Sequence, residues 1–434
     1  MTTNKSFRRF GVVRAFAPAL MIAVAISAPV FAQDLELTEE DRIRLEAFKA
    51  FQDNIAEFLP TVNKIDPGIL PITIPFREVR EHVIVDVDFG NGVALPFMFD
   101  TGAPTYVTPE IASVHGGDVI VEAGAVAAGN KLTWSPLMRM SDITLGGKLP
   151  ISDPTGEIGW SSEGAFYCIT TNGLIGAPLM RNAVWQINYG TQEITVAAEV
   201  GQLDHIDGAI ALPFTHKENS SSPTPHVELG VGDGILEFVV DTGGGIPLTI
   251  NSADLASVGV ALAEDAPRTG VLAGGAAGSF EMQLVAQTIP IRFGDTELMV
   301  PITVGDGMAP GANGNVGHTF LKNFVVTFDW STRMIHLDPL FEGNSLPALP
   351  EPSAAAIGLE GSEVQVTSVP KGGPADAAGL RLGEVVTKVN GKDITDITPD
   401  AFCELTDGEI ETITTASGQT YDASRIEGFF GDGQ

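Results

Sequence analysis

The spacing of apolar residues changes several times along the 434-residue chain. Residues 15–28 are apolar without period, follow Lys5, Arg8, Arg9 and Arg14, and lead into Val30-Phe31-Ala32. A basic start, a short apolar run and small residues behind it read as an export signal over residues 1–32. A membrane span needs about 20 uninterrupted apolar residues, more than this run offers. Residues 33–70 form an acidic extension. In it Ile43, Leu45, Phe48, Phe51, Ile55 and Phe58 recur near helical spacing until Pro60, and Thr38 with Asp41 has the form of a capping box. An amphipathic helix packed on the body is expected there, with a pro-segment over a cleft as the alternative. From residue 72 the period falls to two. His82 to Asp88 alternates ahead of Gly90-Asn91-Gly92, a hairpin signal, and short strands with turn residues continue to about residue 340. A Pro- and Ala-containing linker, 346–354, separates a last small unit, 355–434.

Within the strand-rich region the pattern repeats. Asp100-Thr101-Gly102 follows the apolar run 95–99, and Asp241-Thr242-Gly243 follows 236–240. Leu174-Ile175-Gly176 lies 76 residues beyond the first Asp, and Asn315-Val316-Gly317 lies 76 beyond the second. Asn182 and Asn323, each ahead of an apolar strand, keep the same offset of 141. Two copies of one β-rich unit are implied, over 71–205 and 206–345. A single Asp-Thr-Gly is an ordinary turn, but two in equivalent places, each after an apolar strand, are not explained as turns alone.

Composition narrows the chemistry. The formal charge is −31; without residues 1–32, which hold four basic and no acidic side chains, 20 Lys and Arg face 55 Asp and Glu. Such a surface repels nucleic acid and anionic lipid, so neither is an expected partner. With only two cysteines this is no disulfide scaffold. Cys168 and Cys403 fall in different units and read as buried free thiols. The seven histidines show no metal-ligand spacing, and there is no nucleophile elbow, so neither metal nor organic cofactor is expected. His318 reads as structural.

The paired Asp-Thr-Gly loops, with Leu174-Ile175-Gly176 and Val316-Gly317 matching the family's apolar-apolar-Gly element, resemble aspartic peptidases of the pepsin and retropepsin clan, bacterial retropepsin-like proteins in particular. The resemblance covers about 72–340. It implies a mainly β, bilobal acid-protease barrel fold, with Asp100 and Asp241 as the catalytic pair. Thr101 and Thr242 would bond across the dyad, and Gly102 and Gly243 would offer backbone N–H groups to the carboxylates. It also implies a hairpin flap: Gly274, Gly275 and Gly278 mark a candidate in the second half, and 123–129 a weaker one in the first. No flap tyrosine is evident. Ala103 and Gly244 stand where relatives carry a hydroxyl donor, so the dyad is expected to take up its shared proton at higher pH. Residues 355–434 resemble a PDZ domain of small α+β build, through Pro374 to Glu384 and Asn390-Gly391. There Ile357-Gly358-Leu359 stands as the carboxylate-receiving loop and a C-terminal peptide as ligand. The expected protein is an exported, monomeric aspartic endopeptidase acting on peptide or protein substrates in the periplasm. A non-catalytic peptide-binding protein with the same cleft is the rival.

Overall fold

The computed structural model describes residues 20–21, 24–25, 38–127, 131–161, 166–217, 220, 222–275, 278–305 and 311–430. Most of the expected export signal therefore lies outside the described residues. Helix α1 (Glu39–Asp53) starts where the sequence placed it. Thr38 and Asp41 close a reciprocal capping box, and Phe48 is buried against Ala123 and Leu137. The extension thus packs on the body through one apolar face, and Ile43 points away from it, 62% exposed.

The fold is mainly β, two lobes of barrel-like sheet followed by a small C-terminal domain. The first lobe holds β1 (His82–Asp88), β2 (Ala94–Asp100), β3 (Gly116–Ala127), β4 (Lys131–Met140), β5 (Gly173–Gly176) and β6 (Val184–Asn188). The second holds β7 (His226–Val231), β8 (Gly234–Val240), β9 (Arg268–Gly275), β10 (Gly278–Phe293), β11 (Thr296–Val304), β12 (Gly314–Val316) and β13 (Phe324–Asp329). β5 lies parallel to β2 with Leu174 opposite Met98 and Ile175 opposite Phe99. β12 lies parallel to β8 with Asn315 opposite Val239 and Val316 opposite Val240. Adding 141 to the first register reproduces the second, so the sequence repeat is a repeat of hydrogen-bonded structure.

The lobes join through β6 and β13, which pair antiparallel with Gln186 opposite Thr327. These two residues are themselves 141 apart, and Gln186 Nε2 donates to Thr327 Oγ1 at 2.9 Å. Equivalent residues facing each other is what a two-fold relation between repeats requires. One apolar core runs through both lobes, with Trp185, Phe99, Phe238 and Phe328 fully buried.

The C-terminal unit has its own core around Val366, Leu380, Val389, Phe402 and Ile413. Its strands β14 (Ala356–Glu360) and β15 (Glu363–Pro370) extend the sheet of the second lobe, because β15 pairs antiparallel with β9 from Thr269 to Val271. On its far side, helix α2 (Pro399–Thr406) meets the first lobe. Cys403 forms a disulfide with Cys168, Tyr167 Oη donates to Asp400, and Arg80 bonds the Cys403 carbonyl, Thr406 and Asp407. The reading of two free thiols is corrected here. The cysteines do sit in different units, but those units touch, with Cα atoms 5.2 Å apart across 235 residues of chain.

Candidate active site

Each aspartate is delivered by a buried strand whose next residues turn sharply. Asp100 ends β2, and Asp241 follows β8, its N–H held by the Val316 carbonyl at 3.0 Å. The two turns interlock. Thr101 N–H donates to Thr242 Oγ1 at 3.0 Å and Thr242 N–H to Thr101 Oγ1 at 3.1 Å. Each hydroxyl then donates onward across the interface, Thr101 to the Val240 carbonyl and Thr242 to that of Phe99. Four buried hydrogen bonds thus fix the loops as one object.

The glycines are spatial requirements. A Cβ on Gly243 would sit 2.3 Å from the Asp100 carboxyl, and one on Gly102 would sit 2.7 Å from that of Asp241. Only hydrogen fits where the carboxyls converge. Beneath the loops, a Cβ on Gly176 would strike the Ala103 carbonyl at 2.3 Å, and one on Gly317 that of Ile246 at 2.2 Å.

The carboxyls are 0% and 2% exposed and act on each other. Asp100 Oδ1 accepts from Gly102 N–H at 2.7 Å, while its Oδ2 has no hydrogen-bond partner. Asp241 Oδ1 accepts from Gly243 and Gly244 N–H at 3.0 and 2.8 Å, and its Oδ2 accepts from Asn315 Nδ2 at 2.7 Å. Burial, and then the neighbouring Asp241, hold Asp100 well above the ordinary carboxyl range. Burial also raises Asp241, against the opposing pull of the Asn315 amide. Gly244 supplies no hydroxyl, but Asn315 reaches the same carboxylate from β12.

The residues of both flap candidates belong to long hairpins. In the second lobe Gly274 and Gly275 end β9 and Gly278 opens β10, pairing Gly275 with Gly278; residues 276–277 lie outside the described residues. In the first lobe β3 and β4 pair as far as Ala127 with Lys131, and 128–130 lie outside. The second hairpin is not free along its length, since β9 carries β15 on its outer edge. Ile357, Gly358 and Leu359 also differ from expectation. They form the middle of β14, with Ile357 and Leu359 packed inward and Gly358 passing close to Thr367, so they are strand and not loop. Paired with β15 on one side, β14 is the last strand of its sheet.

Several polar groups around the dyad escaped the sequence reading. Tyr106, six residues after Asp100, is buried beside Glu157. Burial pushes the Glu157 carboxyl up to about 8 and the phenol well above its usual range. His82 lies under the second loop, Nδ1 on the Arg80 carbonyl at 2.6 Å, and burial depresses it to about 4. Glu78, Glu81 and His318 offer three ligand atoms within 4.8 Å of one another, the grouping among the described residues that could hold a cation. Lys322 already pairs with Glu81 there, and His318 N–H supports the loop through the Gly244 carbonyl at 2.7 Å. These groups come from positions some 240 residues apart, so no local spacing announces them.

Residues 365–415 match a family model described as PDZ domain. The C-terminal unit contains a PDZ domain. The match covers β15 from Gln365 and all of α2, but leaves out β14. No curated protein sequence matches the chain. Among solved structures, basic 7S globulin from soybean is similar at 10% identity with a TM-score of 0.37, covering 62% of this chain and 95% of that one. A likeness at that level says nothing about the chemistry here. No helix among the described residues is long and apolar enough to cross a membrane.

Proposed function

We propose that the protein is an aspartic endopeptidase in which Asp100 and Asp241 activate water against a peptide carbonyl. The observation that carries this reading is the pair of buried carboxyls pressed together by interlocked Asp-Thr-Gly turns. Two carboxylates in contact cannot both ionise readily, so the pair shares one proton. The ionised member accepts a proton from water as its oxygen bonds to the carbonyl carbon, and the protonated member donates to the carbonyl oxygen. The tetrahedral diol then collapses: its C–N bond breaks, the nitrogen takes from the base the proton gained from water, and the carboxyl that donated to the carbonyl oxygen recovers a proton from a diol hydroxyl. No covalent enzyme intermediate is needed, and the pair ends as it began.

A binding protein has no use for a buried carboxyl pair, whose desolvation costs stability. The hairpins supply strand edges against which an extended substrate can lie. The PDZ domain suits peptide recognition, with the outer edge of β14 as the place for an added strand. We also propose export to the periplasm from the basic-apolar-small pattern of residues 1–32.

The test is digestion of a proteome-derived peptide library by the full-length protein across pH 3–8, read by mass spectrometry. New termini with a common sequence preference are expected. Peptide retention without cleavage at any pH would replace this reading with the binding one.

A further inference from the structure

We propose that Asn315 decides which carboxyl of the pair keeps the shared proton, making Asp100 the acid and Asp241 the base. The inference rests on the peptidase reading and adds a positioning residue to it. The repeat supplies the comparison. The residue equivalent to Asn315 is Leu174, 141 positions earlier, in the same register of the equivalent strand. Leucine cannot donate a hydrogen bond, and Asp100 Oδ2 has none. In the second lobe the buried amide gives its N–H to Asp241 Oδ2 at 2.7 Å. The same amide leaves its own oxygen buried without a partner. Such a group costs stability that leucine would not, so the residue is placed better for the carboxylate than for the core.

A donor to the ionised form favours ionisation. Asp241 therefore collects three donors, one of them a side chain, and holds the charge, while Asp100, served by backbone N–H groups only, holds the proton. Other titratable groups face the pair without matching this bias. The Tyr106 phenol, with Glu157 behind it, lies on the Asp100 side; both are raised and neutral in the acid range, so they bring no charge to Asp100. His82 lies beneath Gly243 with His318 beyond it.

The experiment compares pH profiles of kcat/KM for the full-length, disulfide-intact protein, for Asn315→Leu, and for Leu174→Asn combined with Asn315→Leu. Losing a hydrogen bond to a charged group should raise the acidic limb by about 1–2 pH units in Asn315→Leu. The combined variant should bring it back down, with the donor now on Asp100. A purely structural role for Asn315 would lower stability and leave the limb in place, and an unmoved limb overturns the proposal. Carboxyl bond lengths at atomic resolution give a readout without turnover. Unequal C–O bonds in Asp100 and equal ones in Asp241 are expected in the wild type. The reverse, or no difference between the two, overturns the proposal even if the protein cleaves nothing.

Discussion

Replacing Thr101 by valine tests whether the interlocked turns hold the two lobes in register. Valine keeps the shape and removes the hydroxyl. Thr242 N–H then loses its acceptor and the Val240 carbonyl loses its donor, at a site where Thr101 and Thr242 are both 0% exposed. Each buried polar group left unpaired costs about 1–3 kcal/mol, so about 2–6 kcal/mol is at stake if neither finds a substitute. Native-state hydrogen exchange reads this locally through the Asp241 amide, held by Val316, and the Ala177 amide, held by Ala103. A loss of only about 2 kcal/mol lowers protection roughly 30-fold where opening of the interface controls exchange. Thr101→Ser keeps the hydroxyl and should retain most of the protection. Thr101→Val with Thr242→Val should cost less than the two singles added, because both break one network. Unchanged protection in Thr101→Val, with the fold intact, would refute the claim that these bonds join the lobes.

Other consequences follow from the buried ionisable groups and the disulfide. Glu157, raised to about 8 by burial, is protonated in the fold and ionises near its ordinary value once unfolded. Its contribution is complete below the unfolded value and is lost as pH rises through 8, so Glu157→Gln should flatten the fall in denaturation midpoint over that window. His82, depressed to about 4, works in the opposite sense. Stability falls as pH drops from its unfolded value near 6.5 towards 4, and His82→Asn should blunt that fall in the same measurement. Replacing Cys168 and Cys403 together by serine should lower unfolding stability by about 2–5 kcal/mol, given the length of chain closed by the bond. A calorimetric scan of the double variant with no change would show that β15 on β9, with the Arg80 and Tyr167 hydrogen bonds, fixes the PDZ domain without the disulfide.

The parts of this architecture written locally, or twice, could be read from the sequence. Alternation between His82 and Asp88 marks β1, and Thr38 with Asp41 marks the start of α1, because both depend on neighbours in the chain. The lobes were legible because the 141-residue offset repeats the signal of each strand, and the carboxyl pair was implied by the family resemblance that the repeated Asp-Thr-Gly carries. What depends on contact between distant segments was not. The disulfide needs the PDZ helix to reach the loop at 166–170, and β15 had to find β9 across a linker. Asn315 was visible only as an exception to the apolar-apolar-Gly element, and its target emerges when β12 is laid beside β8. Ile357-Gly358-Leu359 fits either a strand or a loop, and pairing with β15 decides for the strand. Tyr106 and Glu157 are brought together by pairing of their own short strands.

The most direct test of the account is hydrolysis of one library-selected peptide by the wild type, Asp100→Asn and Asp241→Asn, with folding verified by circular dichroism. Each carboxyl does work that the other cannot, and general acid–base groups contribute about 10²–10⁴-fold. Both variants should therefore fall by at least about 100-fold in kcat/KM while keeping the wild-type spectrum. Cleavage by either folded variant at a rate near that of the wild type would contradict a mechanism built on this pair.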